Sequence, residues 1–321
     1  MQLVAPRAVL VPFAIAVFAF VTPSPARAQL NTQHLKGSAG LKAGSQPPPG
    51  GYVIAPILYF YSADTVKDRD GNEAPNPRDG TLNASLFGAG YSHVTTKKVL
   101  GGFYGFQFLF PVGANNRIQG TEIDADPGAG LTDSVVQPLS LGWHFKRADA
   151  NAGYLIYIPT GRYSNGADDN TGFGMWGQEF TFGTTAYLTE NRQYHAATIA
   201  SFTFSSKKED SETQPGAQMN LEGGVGGDFL KGGLSVGLAY YANFKLSDDE
   251  IEGLPGILIR GKNKVFALGP DVTLALARKG TVYGFVRVNY QWEVYARTTT
   301  QGGSWNIALT WLTKPLKAPA Q

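Results

Sequence analysis

Apolar and polar positions alternate with a period of two through most of the chain. From Gly233 to Phe244 one face reads Leu234, Val236, Leu238, Tyr240, Ala242 and Phe244, and the other Ser235, Gly237, Ala239, Tyr241 and Asn243. From Thr281 to Val294, Val282, Val286, Val288, Tyr290 and Trp292 oppose Tyr283, Phe285, Arg287, Asn289 and Glu293. Trp305, Ile307, Leu309 and Trp311 oppose Ser304, Asn306, Ala308 and Thr310, and Met219, Leu221, Val225 and Phe229 oppose Gln218, Asn220, Glu222 and Asp228. Period two is the signature of β-strands with two unlike faces. From Tyr52 onward it predicts about twelve strands of roughly ten residues, the length a tilted strand needs to cross a bilayer.

A soluble sandwich alternates as well, so other features must place the chain in a membrane. The apolar face carries aromatics near strand ends, at Trp143, Phe145, Trp292, Trp305 and Trp311, as the interfacial girdles of outer-membrane barrels do. Connections alternate between short ones, at 146–151, 190–193, 230–232 and 278–280, and long ones, at 62–80, 113–132, 159–175, 205–216 and 245–262. Lipid offers no hydrogen bonds to an open sheet edge, so such a sheet has to close. The expected fold is all-β: a closed antiparallel transmembrane β-barrel of about twelve strands, with short turns and both termini in the periplasm and long loops outside.

Composition changes this picture little. Arg7 precedes an apolar segment from Ala8 to Val21, and Ala26-Arg27-Ala28 offers a cleavage site, so residues 1–28 read as a signal peptide. Its removal lowers the basic residues from 27 to 25, against 25 acidic ones. A chain without net charge is poorly suited to nucleic acid, which demands clustered Lys and Arg. Cysteine is absent, which excludes disulfides and thiol chemistry. Residues 29–51 hold Gly, Ser, Lys and a Pro47-Pro48-Pro49 run with almost nothing to bury, and are expected to form a flexible periplasmic lead-in. The barrel then occupies 52–313, with 314–321 as a C-terminal tail.

Ile158-Pro159-Thr160-Gly161-Arg162-Tyr163, followed by Asn170, Gly172, Trp176 and Thr185-Ala186-Tyr187-Leu188, resembles the outer-membrane channel proteins of the phenol-degradation meta-pathway type, also called SphA-like. The likeness runs from about Ile57 to Trp311. It implies a Gram-negative outer-membrane barrel that helps small hydrophobic or aromatic compounds across the membrane. Two departures stand out: the chain continues past Trp311, and the lead-in looks too short and featureless to form a plug.

Candidate chemistry is sparse. A phospholipase-like barrel enzyme would need a serine and a base oriented within about 3 Å, yet His93, His144 and His195 fall beside expected short turns and His34 in the lead-in. No catalytic residue, cofactor or metal is assigned. Asp68, Asp70, Asn72 and Glu73, like Asp124 and Asp126, match only the opening of a calcium loop and read as solvated turns. Gly223-Gly224-x-Gly226-Gly227 has no helix after it to cradle phosphate, and instead lets strands bend or a luminal group approach the wall. Arg287, Glu293, Glu222, Asp228, Glu179 and Asp271 should face the lumen, diluted by aromatic and small residues, which favours an apolar or aromatic solute. The candidate pathway residues are Leu155, Tyr157, Tyr163, Trp176, Tyr241, Tyr283, Phe285 and Arg287, with the loop 159–175 as a lid. The expected partners are outer-membrane lipid and a small hydrophobic or aromatic solute. A second reading is a barrel that binds a partner through its long loops. The sequence sets no oligomeric state.

Overall fold

The computed structural model describes residues 33–73, 81–119, 128–167, 169–253 and 262–317. The signal-peptide segment, Asp124, Asp126 and Asp168 lie outside them. Twelve antiparallel strands follow in order: β1 (Gly50–Lys67), β2 (Thr81–Val99), β3 (Gly102–Gln119), β4 (Ser134–His144), β5 (Ala148–Ile158), β6 (Gly177–Tyr187), β7 (Tyr194–Ser205), β8 (Gln218–Phe229), β9 (Leu234–Lys245), β10 (Lys264–Arg278), β11 (Thr281–Arg297) and β12 (Thr299–Lys317). Each pairs with its sequence neighbours, and β1 closes the ring against β12 from Tyr52↔Leu312 to Lys67↔Thr299. Closure leaves no edge facing lipid, which is what membrane insertion demands. The chain is a transmembrane β-barrel of outer-membrane type.

Period two decides which side chains meet lipid. In β9 the luminal set is Ala239, Tyr241 and Asn243, all buried, whereas Val236 and Leu238 are exposed on the outside. In β6, Glu179, Thr181 and Thr185 are buried, while Phe180 and Phe182 face out. Tyr154 stacks on Phe180 outside the barrel, with ring centroids 5.0 Å apart. Trp292, Trp305 and Trp311 are likewise exposed on the outer surface.

Two expected boundaries move. Strand β12 does not stop at 313 but continues to Lys317, because Val282 and Thr281 of β11 offer pairing partners to Leu316 and Lys317. Residues 33–49 are not a free lead-in: they lie inside the barrel. At Gln33 they reach the end carrying the long loops, where the Gln33 amide donates to the Met175 carbonyl.

Candidate functional site

The lumen is built around residues 33–49, which rise from Gly50 at the short-turn end. This segment contains no acid, and its cations are His34, Lys36 and Lys42. The barrel interior presents carboxylates to it. Ser45 donates to Asp149 at 2.8 Å, Lys42 is ion-paired with Asp228, and the Asn151 amide donates to the Ala43 carbonyl at 2.9 Å. The backbone N–H groups of Gly37 and Ala39 donate to the two oxygens of Glu222 at 2.7 and 2.8 Å, and Arg287 donates to the carbonyls of Ser38 and Ala39 at 2.5 and 2.8 Å. His34 ends the run, with Nδ1 at 2.8 Å from Glu179 and Nε2 at 3.0 Å from Glu222. A carboxylate oxygen only accepts, so both ring nitrogens carry protons and an imidazolium sits between two anions.

Close approach depends on small residues. Gly37 has φ +73°, a conformation that L side chains rarely adopt, and a Cβ there would fall 1.8 Å from Gln291 Oε1, so that the glutamine amide would have to move. Leu41, 4% exposed, inserts where Gly224, Gly226 and Gly237 lack side chains; a Cβ on any of these would come within 2.9 Å of it. The glycine run of β8 is thus a socket for a luminal group.

Among the described residues, the buried carboxylates Asp149, Glu179, Glu222, Asp271 and Glu293 are each ion-paired or hydrogen-bonded, as burial requires. Glu179 also accepts from Tyr157 at 3.0 Å and Thr203 at 2.8 Å. Glu293 accepts from Tyr61 at 2.8 Å, Tyr241 at 2.7 Å and the Gly302 N–H at 2.7 Å. Arg287 donates to Asp271 through Nε at 2.9 Å. The remaining lining is polar, with Thr185, Ser201, Asn220, Asn243, Asn289, Gln291 and Ser304 buried. The expected apolar or aromatic lining is therefore corrected: the luminal face is dominated by hydroxyls and amides, and its tyrosines present their oxygens to acids.

Of the candidate pathway residues, Tyr157, Tyr241 and Arg287 converge on the segment, and Leu155 lines the space beside it. Phe285 is luminal, opposite Thr310, and Tyr283 is 43% exposed at the short-turn mouth. Tyr163 lies in the long-loop region under Lys208, whose Nζ is 5.5 Å from the ring centroid, and Trp176 is 52% exposed. These four do not join the central group. Sequence reading passed over His34, Leu41, Lys42 and Ser45. The signal that could have found them is a lead-in with cations and no acid, beside a wall whose charged luminal positions are mostly acids.

Around the segment's upper end, the Pro-Thr-Gly turn ties loop to strand. Thr160 Oγ1 accepts from the Ser134 N–H at 2.9 Å, and Asp133 accepts from the N–H groups of Gly161 and Phe173, each at 3.1 Å. Burial pushes the Asp133 carboxyl up, opposed by those backbone donors. Between the segment and the wall of β2 to β7 a cavity of about 280 Å³ remains, lined by Val94, Leu155 and Ile199 and by Gln107, Gln137 and Thr181. Among the described residues, no group of histidines and carboxylates forms a metal site, and neither His144 nor His195 hydrogen-bonds a serine. Asp68 accepts from the backbone N–H groups of Asp70 and Asn72, which is turn chemistry.

A closed, twelve-stranded outer-membrane barrel with its own segment in the lumen is the class these features define. The chain belongs to the family described as "Putative MetA-pathway of phenol degradation", matched over residues 63–309. Among solved structures it is similar to the COG4313 outer membrane channel from Pseudomonas putida F1, at 12% identity and a TM-score of 0.70, covering 87% of this chain and 100% of that one. More distant is the transport unit of the autotransporter AIDA-I from Escherichia coli, at 8% identity and a TM-score of 0.45, covering 90% and 95%. No curated protein matches the sequence.

Proposed function

We propose that this barrel is an outer-membrane channel, that residues 33–49 hold it closed, and that it passes small aromatic or otherwise hydrophobic compounds bearing a polar group. The observation that carries the reading is the 280 Å³ cavity beside the segment. An apolar cavity of about 150 Å³ takes up benzene, so a substituted ring has room here. Leu155, Ile199 and Val94 offer it apolar contact, and Gln107, Gln137 and Thr181 offer hydrogen bonds. A hydroxylated ring uses both halves of that lining, whereas a pure hydrocarbon leaves buried amides without partners. A general porin would instead present an open charged constriction. The family's description points the same way.

The test is conductance of the full-length protein in planar bilayers, with phenol added. Small conductance steps that phenol reduces in a dose-dependent way are expected. Silent bilayers, or steps indifferent to phenol, would count against a pathway for aromatic solutes.

A further inference from the structure

Four of the five short turns among the described residues share a construction that conduction does not require. Tight hairpin turns need positive φ and usually take it from Asn, Asp or Gly. Here Leu100 (φ 49°), Arg192 (φ 59°), Leu230 (φ 51°), Lys231 (φ 57°) and Lys279 (φ 50°) hold that conformation. Bulky residues are strained there, and the strain places long side chains at the tips: Leu100 is 85% and Leu230 75% exposed.

Each apolar tip has cations beside it. Lys97 and Lys98 precede Leu100, exposed Phe145 is followed by Lys146 and Arg147, and Lys231 follows Leu230. Exposed Leu188 lies in the turn that carries Arg192. At the end of β12, exposed Leu316 stands between Lys314 and Lys317, and Lys317 pairs with Thr281, two residues beyond Lys279. Among the described residues, Glu190 is the acid on this rim; Asp149 and Asp228 point inward and are already paired. The opposite end is rich in acids, including Asp68, Asp70, Glu209, Asp210, Glu212 and Glu250.

An apolar tip flanked by Lys or Arg suits the boundary of an anionic leaflet, with the apolar group among acyl chains and the cation at phosphate. The pattern recurs around the circumference, which suits a surrounding lipid shell better than a protein docked on one side. We infer that the short-turn rim binds anionic phospholipid headgroups of the adjoining leaflet, of the phosphatidylglycerol or cardiolipin class.

Full-length protein in phosphatidylcholine vesicles, probed with spin-labelled phosphatidylglycerol and phosphatidylcholine, tests this independently of conduction. The motionally restricted fraction should favour phosphatidylglycerol, and the preference should shrink between about 0.1 M and about 1 M salt. Substituting Lys97→Gln, Lys98→Gln, Lys146→Gln and Lys231→Gln together should lower it by about fivefold or more. Leu100→Asn with Leu230→Asn suits the turn conformation, so those variants should keep the heat-dependent gel mobility of a folded barrel while losing preference. Equal association of both lipids with the native protein would overturn the inference, and that measurement needs no variant to fold. So would a preference that survives the four substitutions, one erased by inorganic phosphate at matched ionic strength, or one unchanged while binding of an acidic periplasmic protein is lost.

Discussion

His34 and Glu222 meet at 3.0 Å, Nε2 to Oε1, in a lumen where the Glu222 side chain is 1% exposed. The contact joins a residue preceding the barrel to its wall, and its other nitrogen engages Glu179. Removing one partner from a buried ion pair costs about 3–5 kcal/mol, because the remaining charge is left without compensation. His34→Ala should therefore release the upper part of the segment and raise the open probability in planar bilayers. Glu179→Gln and Glu222→Gln added to His34→Ala should offset part of that effect, since no uncompensated carboxylate remains. An open probability identical to the native protein in His34→Ala would sink the idea that this contact holds the lumen closed.

Leu41 tests the apolar half of the docking. Its side chain fills the notch left by Gly224, Gly226 and Gly237, and truncation to Ala leaves a cavity costing about 2–5 kcal/mol. The chain has no cysteine, so Ser38→Cys gives a single reporter thiol on the segment. Leu41→Ala should speed labelling of that thiol by a water-soluble thiosulfonate roughly tenfold or more, given that about 1.4 kcal/mol corresponds to tenfold. Equal labelling rates with Leu and Ala would show that the socket contributes nothing to closure.

Strand faces were legible because period two records them directly: in β9, Val236 and Leu238 share the exposed face and Ala239, Tyr241 and Asn243 the buried one, as the alternation predicts. The filled lumen was not legible. Hydrophobic patterning registers what a segment buries, and residues 33–49 bind mainly through backbone amides, carbonyls and cations, with Leu41 as a lone apolar anchor. The turn at Leu100-Gly101 was also missed, since Val99-Leu100-Gly101-Gly102 reads as continuous apolar sequence with no polar punctuation. The extension of β12 was hidden by Pro315, which argues against a strand unless, as here, it lies in an irregular stretch: the register with β11 slips between Val282 and Gly284.

Gly161 gives a third prediction. A Cβ there would fall 2.6 Å from Gly172 Cα and 2.9 Å from Thr132 Cα, both backbone atoms that cannot swing aside. Gly161→Ala should push the two limbs of the 159–176 loop apart and weaken the N–H donation to Asp133. Faster cleavage within this loop by protease added to intact cells is the expected result, with β-strand content by circular dichroism unchanged. Native cleavage rates would mean that the loop accommodates the methyl group elsewhere.

Tyr157 and His93 make a matched pair for the pathway itself. Tyr157 is 5% exposed on the luminal face of β5 and donates to Glu179, whereas His93 stacks on Phe106 with ring centroids 5.6 Å apart and bonds Tyr91 at 2.9 Å. Asp at 157 would add a carboxylate beside Glu179 and Glu222, in a space where like charges repel and where Leu155 supplies apolar contact. The His93 ring is instead held by Tyr91 and Phe106 and makes no hydrogen bond to Glu179 or Glu222. Tyr157→Asp should therefore slow uptake of a phenolic solute by whole cells well beyond any effect of His93→Asp, at equal amounts of folded protein in the membrane. Tyr157→Phe, which loses one donor to Glu179 but keeps the ring, should fall between Tyr157→Asp and the native protein. Equal impairment at 157 and 93 would exclude the Leu155–Tyr157 wall from the solute's route.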